Sequence, residues 1–223
     1  MTELILGIDD AGRGPVIGPM VLAGCLVTED SQKELKNLGV KDSKMLTPKR
    51  REMLAEKVKE IAETFEISLA YPEEIDGNLI SGTNLNKLEA IKMAEIINKI
   101  NKGYGKIKVI IDCPSTTISK WKDYLRTKIE NLSNLEIVCE HKADKNHVAV
   151  SAASIIAKHI REKEMDILRE KYGSEIGSGY CSDPSTMMFL EKRALKHEDD
   201  GIFRKTWETW RTVMTKISQR TLS

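Results

Sequence analysis

The sequence predicts an α/β fold, a mixed five-stranded sheet flanked by helices, with a helical C-terminal part. Three observations carry this reading. Five short stretches read as strands, the stretches between them repeat apolar residues at helical spacing, and helical segments alone follow from about residue 182.

Residues 4–9 read as a buried strand and residues 20–27 as a second one, a hairpin-like pair joined by a glycine-rich turn. Thr47-Pro48 starts a helix, with threonine as N-cap and proline at the first helical position. Met53, Leu54, Val58, Ile61 and Ala62 give that helix its apolar stripe. Residues 65–70 alternate like a strand. Residues 84–101 form a helix with Leu85, Leu88, Met93, Ile96, Ile97 and Ile100 inward, ended by Gly103 and Gly105. Residues 107–112 are a fourth strand, residues 119–132 a helix and residues 135–139 a fifth strand. Residues 148–171 form a helix that is apolar in its first half (Val148, Val150, Ala152, Ala153, Ile155, Ile156) and charged after Lys158. A loop, Gly177-Ser178-Gly179-Tyr180, precedes the C-terminal helices.

At 223 residues the chain suits one large domain or a domain with a smaller appendage. Its 35 Lys and Arg balance 34 Asp and Glu, which excludes a strongly basic protein that binds nucleic acid indiscriminately; positive charge for such a ligand must be local. Cys25, Cys113, Cys139 and Cys181 lie far apart with no C-x-x-C pair, against a zinc ribbon or disulfide framework and for a reducing compartment. No apolar run approaches the roughly 20 residues of a membrane span, and no signal-peptide pattern opens the chain, so a cytoplasmic protein with no membrane partner is expected.

The most informative stretch is Gly7-Ile8-Asp9-Asp10-Ala11-Gly12-Arg13-Gly14-Pro15. A strand that stops on carboxylates offers oxygen ligands to a hard divalent cation. A glycine turn offers free backbone N–H groups to a phosphate or sugar oxygen. Gly12, Gly14 and Gly18 do not fit the G-x-G-x-x-G spacing and no P-loop lysine follows, which weighs against a nucleotide-binding protein. Asp112 ends the fourth strand as Asp9 ends the first, and Asp144 precedes the buried helix. A lone strand-end aspartate is ordinarily a turn or cap residue; three such positions in one short chain favour a carboxylate metal site. Strand side chains alternate faces, so Asp10 is expected to lie already in the turn, where the backbone can swing it back beside Asp9.

These residues resemble ribonuclease HII in its archaeal form. The resemblance rests on residues 7–15, Val40-Lys41-Asp42-Ser43-Lys44-Met45-Leu46-Thr47, Ile111-Asp112, His141-Lys142-Ala143-Asp144, residues 150–158, Gly177-Ser178-Gly179-Tyr180-Cys181-Ser182-Asp183-Pro184 and Arg204-Lys205-Thr206-Trp207, in the family's order and over nearly the whole chain. It implies a ribonuclease H-like catalytic domain over residues 1–181 and a helical, substrate-binding extension over residues 182–223. It implies endonucleolytic cutting of the RNA strand in RNA–DNA hybrids, and at single ribonucleotides embedded in duplex DNA, leaving 5′-phosphate and 3′-hydroxyl ends. Asp9, Asp10, Asp112 and Asp144 match the family's catalytic carboxylates, which bind two Mg2+ or Mn2+ ions, one activating water and one stabilising the leaving oxygen.

The resemblance also assigns Gly12, Arg13, Gly14 and Tyr180 to reading the ribose–deoxyribose junction, the 2′-hydroxyl being what marks RNA. Lys44 and Lys142 are the best candidates for phosphate contacts, with Lys158 and Arg204 behind them; most lysines in so charged a chain simply solvate a face. Three positions depart from the family. Asp10 stands where glutamate is usual, which predicts activity that is weak, shifted toward Mn2+ or dependent on a compensating shift of the turn; Cys181 stands for a proline; His147-Val148 stand for Tyr-Pro. The alternatives are a non-catalytic hybrid-binding protein and another ribonuclease H-fold nuclease, such as a junction resolvase. The tail from Lys216 lacks the paired aromatics of clamp-binding peptides, so a sliding-clamp partner is possible but unsupported, and a monomer is the default expectation.

Overall fold

Five strands pair in the order β3-β2-β1-β4-β5 in the computed structural model, which describes residues 3–40 and 46–221. They are β1 (Leu4–Ala11), β2 (Met20–Thr28), β3 (Thr64–Ala70), β4 (Ile107–Asp112) and β5 (Leu135–Glu140). β1 is antiparallel to β2 and parallel to β4, and β4 is parallel to β5, so the sheet is mixed and the fold ribonuclease H-like, as predicted.

The helices among the described residues are α1 (Glu29–Asn37), α2 (Pro48–Ile61), α3 (Pro72–Ile80), α4 (Leu85–Ile100), α5 (Ile118–Arg126), α6 (Ala143–Asn146), α7 (Val148–Tyr172), α8 (Pro184–Arg193) and α9 (Glu208–Thr221). Thr47 caps α2 by accepting from the Arg50 N–H, with Pro48 in the first turn, as the sequence signals. The helix predicted over residues 119–132 stops at Arg126, because the chain tightens there into i→i+3 bonds: Lys128 N–H to Leu125 at 2.9 Å and Ile129 N–H to Arg126 at 3.3 Å. None of these helices is long and apolar enough to cross a membrane.

The chain divides into two compact units. One comprises Met1–Ala11, Val21–Leu69 and Asn86–Ile160; the other comprises Gly12–Met20, Ala70–Leu85 and Arg161–Ser223. In the first unit, Val21, Ala23, Cys25 and Val27 alternate along β2 into a core shared with Leu54, Val58, Ala152, Ala153 and Ile156. On the other face Gly24 makes room for α4: a Cβ there would stand 2.4 Å from Ile96. In the second unit Val16, Ile17, Met165, Phe189, Phe203 and Trp210 form a separate core, with the Phe203 and Trp210 rings 4.6 Å apart. There the Asp76 carboxylate accepts from the main-chain N–H groups of Lys205 and Thr206 at 2.6 and 3.0 Å, fixing the segment before α9.

Candidate metal centre and glycine loop

In the first unit the strand register places two acids together. The β1–β4 ladder pairs Leu4 with Ile107 and so on to Ile8 with Ile111, so Asp9 and Asp112 come next, level on neighbouring strands. Gly7 and Ile110 are also partners, and both face the start of α7. Ile110 packs with Ala143 and Val150, and a Cβ on Gly7 would lie 2.1 Å from the carbonyl carbon of Ala149. Asp9 and Asp112, two residues further along each strand, share that face.

Asp144 arrives on the same side through α6. The Ala143 N–H donates to Asp112 Oδ1 at 3.2 Å, and the Ser151 hydroxyl donates to the Asp144 carbonyl at 2.9 Å. The turn into α6 is left-handed at Lys142 (φ 60°), and His141 Nδ1 lies 3.0 Å from the Cys113 carbonyl. Three short links therefore hold a buried carboxylate-bearing turn against the end of β4 and the start of α7. A non-glycine residue in that backbone region is strained, and such strain persists only where the surroundings enforce it.

Asp9 is 5% exposed, and its carboxyl is pushed up from 3.8 to about 8. Burial is the main cause, followed by the charge of Asp10 and, more weakly, that of Asp112; contact with Ser154 and the Asp10 N–H, 2.8 Å away, pulls the other way. A crowded set of buried carboxylate oxygens suits a hard divalent cation. Among the described residues, no three His, Cys, Asp or Glu side chains converge closely enough to hold an ion as they stand. The strand register brings Asp9 and Asp112 level at one edge.

Asp10 departs from expectation. It is not in the turn: the β1–β2 ladder continues through Asp10, opposite Leu22, to Ala11, opposite Val21. Alternation therefore aims Asp10 at the face opposite Asp9. Arg204 also departs, for it is fully buried with its guanidinium on main-chain carbonyls, so it is no phosphate contact. Lys142 is exposed and Lys158 half-buried, while Lys44 lies outside the described residues. His147 Nε2 donates to Glu140 Oε1, 2.8 Å away, and so ties the α6–α7 junction to β5.

Glu140 was missed by the sequence reading. It pairs with Asp112 in the β4–β5 register, which makes it a third acid level with Asp9 and Asp112. The signal was present, since residues 135–139 are another apolar run that stops on an acid.

The second unit holds the glycine loop and Tyr180. Gly12 has φ +80°, a conformation that L side chains rarely adopt, and Gly14 is exposed. A Cβ on Gly14 would lie 4.0 Å from Tyr180 Cε1. Arg161, itself buried, stacks its guanidinium 4.8 Å from the Tyr180 ring centroid and donates to the Ser178 carbonyl at 2.9 Å. Gly12, Gly14 and Tyr180 are thus brought together within this unit.

A β3-β2-β1-β4-β5 mixed sheet whose central parallel strands carry level carboxylates near their ends defines a ribonuclease H-like, metal-dependent phosphodiester hydrolase. The family model for Ribonuclease HII matches residues 6–210. A Ribonuclease HII of Methanococcus maripaludis is 42% identical over 220 residues, 97% of this chain and 90% of that one. The crystal structure of the ribonuclease H2 from Pyrococcus horikoshii superposes with a TM-score of 0.86 at 36% identity, covering 97% of this chain and 99% of that one. The RNase HII of Archaeoglobus fulgidus, solved in complex with PCNA, gives a TM-score of 0.80 at 36% identity over 94% of both chains. The chain belongs to the ribonuclease HII family.

Proposed function

We propose that the protein is an endoribonuclease that cuts the RNA strand of RNA–DNA hybrids, and single ribonucleotides embedded in duplex DNA, leaving 5′-phosphate and 3′-hydroxyl ends. The observation that carries this reading is the level placement of Asp9 and Asp112 on parallel strands beneath the turn that bears Asp144. Asp9, Asp10, Asp112 and Asp144 are the residues to hold two Mg2+ or Mn2+ ions, which supply the Lewis acidity for attack by water and departure of the 3′-oxygen. Before loading, the raised Asp9 carboxyl holds a proton near neutral pH, so ion binding is accompanied by its release.

Gly12, Arg13 and Gly14 present main chain to the ribose, Tyr180 packs on the sugar, and Lys142 and Lys44 meet phosphates. In this reading residues 1–181 carry the chemistry, and the helical extension over residues 182–223 contributes to substrate binding. Asp10 is the weak member: one methylene shorter than glutamate and aimed across the strand, it lowers Mg2+-supported turnover. The protein works as a cytoplasmic monomer, and the Archaeoglobus complex with PCNA makes a sliding clamp the partner class to test.

The test is metal-dependent cleavage of a duplex holding one ribonucleotide, run beside an all-DNA four-way junction with Asp112→Asn as control. Cleavage 5′ to the ribonucleotide only in the wild type is the expected result. Cutting of the junction alone would favour a resolvase, and ribonucleotide-specific binding without cutting would favour a hybrid-binding protein.

A further inference from the structure

The main chain after Ala11 is held by one buried arginine. Arg204 Nη1 donates to the Arg13 carbonyl at 2.7 Å, Nη2 to the Gly12 carbonyl at 2.6 Å and the Gly18 carbonyl at 2.9 Å, and Nε to Gly18 again at 3.1 Å. The Arg204 N–H donates to the Val16 carbonyl at 2.9 Å. Trp207 completes the support: its ring centroid lies 5.0 Å from the guanidinium carbon, and its Nε1 donates to the Gly14 carbonyl at 3.1 Å. The carbonyls of Gly12, Arg13 and Gly14 are therefore all turned toward one pair of side chains.

A trans peptide is planar, with the carbonyl of one residue and the N–H of the next pointing opposite ways. The described residues hold no cis peptide. Turning the Gly12 and Arg13 carbonyls toward Arg204 thus turns the N–H groups of Arg13 and Gly14 away from it. Pro15 has no N–H, so the pair stops there. Successive N–H groups aimed outward form a cradle for an oxygen that carries partial or full negative charge. Gly14 borders Tyr180, so the cradle and the ring flank one spot. Lysine does not reproduce this support, because one ammonium lacks the planar fork that meets three carbonyls at once.

We propose that Arg204 and Trp207 are positioning residues that aim the N–H groups of Arg13 and Gly14, beside Tyr180, at a ribose oxygen of the substrate strand. The proposal deepens the function given above and rests on it. Arg204 itself never touches the substrate.

The full-length protein and its Trp207→Phe and Arg204→Lys variants test this. Trp207→Phe keeps an aromatic ring over the guanidinium and removes only the bond to Gly14. Duplex binding is read by fluorescence anisotropy in EDTA, for one embedded ribonucleotide against all DNA; kcat and KM are read with Mn2+, and ion loading by the Mn2+-induced shift in melting temperature. The expected result is a KM about tenfold higher in Trp207→Phe and about a hundredfold higher in Arg204→Lys. Preference for the ribonucleotide duplex falls in parallel, with kcat and the Mn2+-induced shift retained. Should Arg204→Lys not fold, Trp207→Phe decides alone.

An unchanged KM and preference in Trp207→Phe overturns the proposal, as does an equal loss of affinity for both duplexes. If the wild type cuts nothing yet prefers the ribonucleotide duplex, and Trp207→Phe loses that preference, the nuclease reading fails and the cradle stands. A wild type that binds both duplexes equally overturns the cradle.

Discussion

Asp9 and Asp112 stand level on neighbouring parallel strands, each one residue past the last registered pair, Ile8 and Ile111. Side chains in that relation share a sheet face at close range, which is costly for two carboxylates unless a cation lies between them. Asp112→Asn removes one charge while keeping an oxygen that can accept from the Ala143 N–H. Cleavage should fall by about a thousandfold, the worth of several kcal/mol of charge stabilisation at a metal centre. Initial rates at saturating Mn2+ check this. A variant that retains a tenth of the wild-type rate removes Asp112 from the metal set.

Asp10 lies within the β1–β2 ladder, so its side chain leaves the strand on the side opposite Asp9. Reaching an ion shared with Asp9 means reaching around the strand end, where one more methylene helps. Asp10→Glu should raise Mg2+-supported cleavage by roughly tenfold or more, since a displacement of about 1 Å in a catalytic group can cost about a hundredfold. The gain should be smaller with Mn2+. Equal rates for the two proteins in Mg2+ would mean that the shorter acid is fully accommodated.

All five strands were legible because each is an apolar run or an alternating stretch of β-type residues, and Asp9 and Asp112 were legible because they end two of the apolar runs. Glu140 carries the same signal but opens a motif already read for Lys142 and Asp144; only the β4–β5 register shows it level with Asp112. Helices α1 and α3 escaped notice because their sequences lack a long stripe: Leu35 is the buried side chain of α1, and Gly77 interrupts α3. Arg204 was misread for a different reason. Its partners are carbonyls more than a hundred residues earlier in the chain, and burial of an arginine on main-chain oxygens leaves no local pattern.

Gly7 is a packing requirement rather than a flexibility device. A Cβ there would lie 2.1 Å from the Ala149 carbonyl carbon and 2.3 Å from the Val150 nitrogen, both of them backbone, so the first turn of α7 must move to admit it. Gly7→Ala should destabilise the protein by about 1–3 kcal/mol, the usual cost of overpacking. Because that turn carries the Ser151 hydroxyl that holds Asp144, the Mn2+ concentration for half-maximal activity should also rise. Denaturant melts and a metal titration check the two effects separately. A variant as stable as the wild type would show that α7 yields freely.

The Asp9 carboxyl fixes the direction in which pH acts on the metal-free protein. Its value is about 8 in the folded chain against 3.8 for the ordinary group, with burial as the leading cause and the charge of Asp10 next. Between those values the folded state holds a proton that the unfolded state has released, so stability falls as pH rises from about 4 to about 8 and levels off above. The slope from this one group is about 1.4 kcal/mol per pH unit at most. A bound divalent cation stabilises the charged carboxylate, which lowers its folded value and removes the penalty, so Mg2+ or Mn2+ should stabilise the protein more at pH 8 than at pH 5. Denaturant melts in EDTA and in Mn2+ across that range test this, with Asp9→Asn as reference because it removes the titrating group. In EDTA the wild type should lose stability relative to Asp9→Asn as pH rises, and in saturating Mn2+ that loss should disappear. A constant difference between the two proteins in EDTA would mean that Asp9 is already ionised in the folded chain.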